Sequence, residues 1–212
     1  MDKTDPLRQT RDLIEQFSGR SGIIYCFSRK QVDELDADLS RLWISALPYY
    51  AGLSYEERKK NQEAFIKDDA NIIVATVAFG MGINKPDVRF VLHYDLPKSL
   101  EGYYQEMGRA GRDGQTSVCR LLFSYGDKNK IQYILRQKSG KERIAAEEQF
   151  DALLRYVEQS GCRRKPLLSY FGETYSQTSC GICDWCLSSQ DKVIGITIPA
   201  QKFRSCMKRS GE

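Results

Sequence analysis

Short apolar runs alternate with amphipathic stretches over residues 1–126, and this alternation predicts a parallel sheet covered by helices. Four runs predict strands, at residues 23–27, 72–75, 88–92 and 118–123. The first two are continuously apolar, as strands covered on both faces are. Helix starts are legible between them. Ser28 with Gln31, and Ser54 with Glu57, fit the capping box, in which a hydroxyl and the N3 side chain satisfy each other's orphan amides. Behind Ser28, Val32, Leu35, Leu39 and Leu42 make one apolar stripe that would dock on the sheet. Asp5-Pro6 marks another start, with Leu7, Ile14 and Phe17 facing inward. Leu100, Tyr103, Tyr104 and Met107 predict a helix that ends at Gly108. After Gly126 the strand signals stop. One helical stretch then runs through Ile131, Ile134 and Leu135, and a second through Phe150, Leu153, Leu154 and Val157. The expected class is α/β, a doubly wound parallel lobe with an appended helical subdomain.

Length agrees with that division, since 212 residues hold one domain, or one plus a small appendage, at about 100–200 residues each. Mean hydropathy is -0.50 and no apolar run approaches the ~20 residues of a membrane-spanning helix. Residues 1–6 place no apolar stretch behind a basic start, so no secretory signal is expected. A reducing cytosol or nucleus, without disulfides, is the default. The net charge of +4 lies wholly in the tail: after residue 191 there are five basic residues and one acid. Such a tail suits nucleic acid or an ordinary solvated terminus, and charge does not separate the two.

Cysteines change the picture more. Cys162, Cys180, Cys183 and Cys186 fall within 25 residues, in a segment too small to bury a core of its own. Four thiolates in a reduced protein point to a tetrahedral metal, and zinc comes first because it accepts all-sulfur ligation without redox chemistry. A closed four-cysteine shell leaves no position for water, which makes the expected role structural. An iron–sulfur cluster uses the same ligands, and merely buried thiols are the remaining reading. Cys26 and Cys119 are expected to be small core hydrophobes on strands.

Two further stretches carry candidate chemistry. In Ala75-Thr76-Val77-Ala78-Phe79-Gly80-Met81-Gly82-Ile83-Asn84 a strand leads straight into a glycine-bearing turn, at the sheet edge where α/β proteins bind ligands. The glycines allow close approach of an anion, with Thr76 and Asn84 as added hydrogen-bonding groups. A plain tight turn reads the same way. In residues 105–114, Arg109 and Arg112 stand three apart among Gly108, Gly111 and Gly114. An arginine fork suits phosphate, although arginine-rich loops are also found simply solvated. No G-x-x-x-x-G-K-[ST] loop and no acidic quartet after an apolar strand is present, so the chain by itself is not expected to hydrolyse a nucleotide. His93, the only histidine, falls on a predicted buried strand and is expected to be a hydrogen-bonded core residue.

Five stretches together resemble the RecQ family of DNA helicases: GIIYCFSRKQVDEL from Gly22, YYAGLS from Tyr49, IIVATVAFGMGINKPDVRFVLHYDLP from Ile72, YYQEMGRAGRDG from Tyr103, and CRRKPLLSYFGE with CGICDWC around the cysteines. The resemblance implies a RecA-like second motor lobe at 1–126, a helical zinc-binding subdomain at 127–190, and a tail at 191–212 that opens a winged-helix domain. It implies an ATP-driven, 3′ to 5′ single-stranded DNA motor that separates duplex, with DNA repair and recombination as its setting. ATP and magnesium would bind between this lobe and a first RecA-like lobe supplied in cis or in trans.

By motif position, Arg112 is implied as the arginine finger and Arg109 as its support. Gly82 and Asn84 join them at the nucleotide, Asn84 standing where relatives often carry aspartate. Ser28, Arg29 and Thr76 are implied to grip the DNA backbone, without reading sequence. Tyr50 stands where relatives often carry histidine, so the polar role of that slot does not carry over directly. The competing expectation is a non-catalytic zinc module that binds DNA or a protein partner. Either way no membrane is involved, and the implied compartment is the bacterial cytoplasm and nucleoid, or the nucleus.

Overall fold

The computed structural model describes residues 1–80 and 84–190. It divides into two compact units, Met1–Leu153 and a second from Leu154 onward.

In the first unit, helix α1 (Pro6–Gln16) starts with the Asp5 side chain accepting from the Arg8 amide, and proline fills the first turn, where its missing N–H is not needed. Then come β1 (Ser21–Tyr25), α2 (Arg29–Arg41), β2 (Ala46–Tyr49), α3 (Tyr55–Ile66), β3 (Ile72–Ala75), β4 (Val88–His93), α4 (Leu100–Met107), β5 (Val118–Leu121), α5 (Tyr125–Leu135) and α6 (Gly140–Glu158). The five strands form one sheet, ordered β2-β3-β1-β4-β5. All of its pairings are parallel.

Alternation along the strands divides the core into two layers. Ile24, Val74 and Leu92 pack with Leu13, Val32, Leu35 and Leu39 under α1 and α2. Ile23, Ile73 and Val91 pack on the other face with Phe65 and Phe79. β1, β3 and β4 are buried along their whole lengths, which is why β3 and most of β1 run apolar, while the polar Ser21, Arg89 and His93 are buried with them. Gly22 is required on β1, because a Cβ there would come within 2.0 Å of the Phe90 ring.

The structure departs from the pattern in places that have local causes. β2 carries Pro48 and does not read as a strand; as an edge strand it pairs only with β3, which leaves room for a residue without an N–H. The Ser54–Glu57 capping box forms in full. At Ser28 only half does: its hydroxyl accepts from the Gln31 amide, while the Gln31 side chain donates to Asp95 at 3.1 Å. The α2 stripe stops at Leu39, and Leu42 caps the helix half in solvent. Trp43 follows with φ 60° and 96% exposure. Tyr104 on α4 faces solvent, and the buried positions are Leu100, Tyr103 and Glu106. Cys26 is buried as expected, whereas Cys119 is exposed because β5 is the other edge of the sheet.

In the second unit, α6 ends and is followed by α7 (Arg164–Tyr170) and α8 (Asp184–Gln190), two short helices on either side of a glycine-bearing loop. Among the described residues no helix is long and apolar enough to cross a membrane.

Candidate functional site

The loop after α4 is held by its glycines and by backbone bonds to the start of β4. Gly111 has φ 65°, and a Cβ on it would lie 2.6 Å from the Ser117 hydroxyl and 2.8 Å from the Gln115 carbonyl. Only glycine fits there. The Gly111 amide donates to the Val88 carbonyl at 3.0 Å and the Asp113 amide to Pro86 at 3.2 Å. The buried Arg89 guanidinium donates to the Asp113 carboxylate and holds it below the usual carboxylate range.

This frame presents Arg109 and Arg112 differently. Arg109 is half-buried: its guanidinium lies where a Cβ on Gly80 would approach it to 2.6 Å, and it reaches the Tyr25 side chain. Thus the glycine turn after β3 and the arginine loop after α4 meet in space. Burial pushes the Tyr25 phenol far up, against the opposing pull of both arginines. Tyr25 donates to the Phe79 carbonyl at 2.9 Å and stacks on His93. His93 is buried, with Nε2 2.7 Å from a Glu106 carboxylate oxygen. It is a hydrogen-bonded core residue beneath the arginines, as its strand position predicts. Arg112 is exposed, and its Nε donates to the Gly108 carbonyl at 3.1 Å.

Asn84 is exposed, and Gly82 lies outside the described residues. Nothing in the one-dimensional pattern singles out Tyr25, which joins the cluster only because β1 lies between β3 and β4.

Ser28, Arg29 and Thr76 lie just past the carboxyl ends of the adjacent strands β1 and β3. Arg29 leans over Gly52, where a Cβ would meet its guanidinium at 2.8 Å. Thr76 Oγ1 accepts from the Ala78 amide at 3.4 Å and shapes the turn toward Gly80. Tyr50, in the histidine slot, donates to Asp33 at 3.3 Å, so it keeps a polar contact after all.

In the second unit the four cysteine sulfurs all lie within 4.8 Å of one another, and those of Cys180 and Cys186 are 3.9 Å apart. Zinc–sulfur bonds of about 2.3 Å in a tetrahedron require sulfurs about 3.8 Å apart, so the cluster fits zinc. Gly181, at φ 72°, turns the chain between Cys180 and Cys183. The Arg163 and Cys186 amides donate to Cys183 Sγ at 3.4 and 3.5 Å. The Ser179 hydroxyl helps pull the Cys186 thiol down to about 6, while burial raises Cys183 to about 11. Arg163 ties the site to the preceding helix. One of its terminal nitrogens donates to the Tyr156, Val157 and Gln159 carbonyls at 3.3, 3.2 and 3.0 Å. Its Nε and other terminal nitrogen grip Asp184 at 3.0 and 3.1 Å. The sequence pattern reveals the ligands but not this arginine, whose partners come from both sides of the loop.

Comparison with known proteins matches the two parts separately. Residues 5–114 match the helicase conserved C-terminal domain, and residues 125–187 match the RecQ zinc-binding domain. The chain belongs to the RecQ helicase family. It is 41% identical over 212 residues to the ATP-dependent DNA helicase RecQ of Haemophilus influenzae, covering 100% of this chain and 34% of that protein. It is 45% identical over 167 residues to the RecQ-like DNA helicase blm-1 of Caenorhabditis elegans, covering 77% of this chain and 17% of the relative. The chain therefore spans about a third or less of the length of these relatives. Among solved structures, the E. coli DEAD-box protein SrmB aligns with a TM-score of 0.53 at 24% identity, over 63% of this chain and 79% of that one. That likeness shows the fold: the first unit is a RecA-like lobe of the kind found in DEAD-box proteins. The RecQ zinc-binding match covers the four-cysteine cluster, whose sulfurs have the spacing to hold zinc.

Proposed function

We propose that this chain works as the second motor lobe and zinc-binding subdomain of an ATP-dependent 3′ to 5′ DNA helicase. The lobe is assigned to residues 1–126, the helical zinc subdomain to 127–190, and the tail at 191–212, which lies outside the described residues, to the start of a winged helix. The observation that carries the reading is the meeting of Arg109 with Gly80 and Tyr25, beside an outward Arg112 on a loop pinned to β4.

In this reading Arg112 reaches the terminal phosphate of ATP held, with magnesium, mainly by a first RecA-like lobe. Its fixed charge offsets the charge that develops as the phosphoryl group transfers. Arg109, anchored by Tyr25, keeps the loop in register, and Gly82 with Asn84 flank the nucleotide. Ser28, Arg29 and Thr76 hold single-stranded DNA by its backbone. Movement between the two lobes would then be coupled to hydrolysis. The working compartment is the cytoplasm and nucleoid of a bacterium, or a nucleus.

The test is single-strand-stimulated ATP hydrolysis by this chain alone and mixed with a separately prepared RecQ first lobe. The expected result is no turnover alone and recovery on mixing. In the reconstituted enzyme Arg112→Ala is expected to lower turnover by roughly three orders of magnitude. A loss under about tenfold refutes the finger. DNA binding without turnover in either case supports instead a non-catalytic zinc module.

A further inference from the structure

We propose that Phe27, Lys98 and Lys130 form an additional single-stranded DNA contact that carries the track across the sheet toward the β5 edge; it rests on the DNA reading above. The strand order dictates the geometry. Moving from β2 to β5, the segments past the carboxyl ends of the strands bring Gly52, Thr76, Ser28 with Arg29, then Lys98 after β4, and Lys130 on α5 after β5. The implied backbone contacts occupy only the first part of that line.

Phe27 is half-buried just past β1, and its ring carries two cations. Lys98 Nζ lies 5.4 Å from the ring centroid and Lys130 Nζ 4.9 Å. Both lysines are exposed. Neither ammonium has a carboxylate partner among the described residues, although two carboxylates lie close by.

Those acids are already engaged. Asp95 is buried and accepts from Lys3 at 2.8 Å, from the Phe27 amide at 3.0 Å and from Gln31 at 3.1 Å. Asp127 takes the same Lys3 ammonium at 3.1 Å. Lys3 bridges both acids and offsets one of their two charges, and Asp95 fixes the backbone of Phe27. With Lys98 and Lys130 gathered on one aromatic surface, the cluster keeps a net positive charge. Nearby, Tyr125 is exposed, packs edge-on against Phe123, and lies under Lys128 at 5.9 Å. Interleaved cations and aromatic faces suit a single strand, whose phosphates take the ammonium groups and whose unpaired bases present π-faces to the rings. A duplex keeps its bases stacked inside and offers only the charge.

The test is binding of fluorescein-labelled oligo(dT), followed by anisotropy across a salt series, with the 212-residue chain and its Lys98→Gln/Lys130→Gln and Phe27→Leu variants. Thermal melts and zinc content check that each variant is folded. If each lysine neutralises one phosphate, the double variant loses about 1.4 from the log–log salt slope and roughly 25-fold in affinity at 0.1 M salt. Phe27→Leu keeps the slope and loses roughly fivefold or more, because stacking carries no charge. An unchanged slope and affinity within about threefold for the folded double variant, while the parent binds, overturns this site alone. No binding by the parent chain overturns the DNA reading together with the site. Loss confined to an RNA oligonucleotide, with oligo(dT) affinity unchanged, overturns the assignment to DNA.

Discussion

Replacing Arg163 with alanine tests how the zinc subdomain is held. The guanidinium gives one nitrogen to the Tyr156 and Val157 carbonyls in the last turn of α6 and to the Gln159 carbonyl just past it, and the others to Asp184. A hydrogen bond from a charged donor contributes about 1.5–3 kcal/mol, and the shared nitrogen is counted once. The Asp184 side chain is 62% exposed, so that ion pair is discounted to about 0.5 kcal/mol. The sum is about 2–3.5 kcal/mol. Because binding of a structural metal is coupled to folding, the loss is expected as a drop in apparent zinc affinity. At about 1.4 kcal/mol per tenfold, 2 kcal/mol is roughly 30-fold. The assay is zinc release to a chromogenic competitor, with proteolysis of residues 154–190 followed in parallel. Asp184→Asn, which leaves the helix carbonyls bonded, is expected to cost only about twofold to threefold. Zinc affinity of Arg163→Ala within about threefold of the parent, or a larger loss in Asp184→Asn than in Arg163→Ala, refutes the reasoning.

Other outcomes follow from the same geometry. Cys180→Ser breaks the sulfur tetrahedron and is expected to lose the metal and open the zinc region to protease; retained zinc with unchanged resistance contradicts the site. Trp43→Gly relieves a left-handed residue whose side chain is 96% exposed, for a gain of about 1 kcal/mol and a melting point about 2–4 °C higher, read by calorimetry. Asp113, lowered by its hydrogen bond from Arg89, contributes stability that is present above the ordinary carboxylate value of about 3.9 and is lost as pH falls through its lower folded value. Melting curves of Asp113→Asn and the parent should therefore differ at neutral pH and draw together as the carboxylate is protonated in acid; a gap that stays constant through the acid range contradicts the pairing.

The parts of this protein that local pattern determines are those whose physical cause is itself local. The two continuous apolar runs became the buried strands β1 and β3, because a strand covered on both faces has no polar side to show. Asp5-Pro6 and Ser54 with Glu57 became helix starts because caps act over three residues. The four cysteines close enough in the chain to share an ion do come together. Where competition came from afar, pattern lost. Gln31 left its expected cap for Asp95, β2 became a strand despite Pro48 because β3 offered an edge, and Cys119 lay exposed because β5 ended the sheet. Tertiary structure alone set Arg109 against Gly80 and Tyr25, gathered Lys98 and Lys130 on Phe27, and closed Arg163 onto Asp184. Each joins residues separated by at least 21 positions, and such partners are chosen by strand order and loop closure, which no window of neighbouring residues contains.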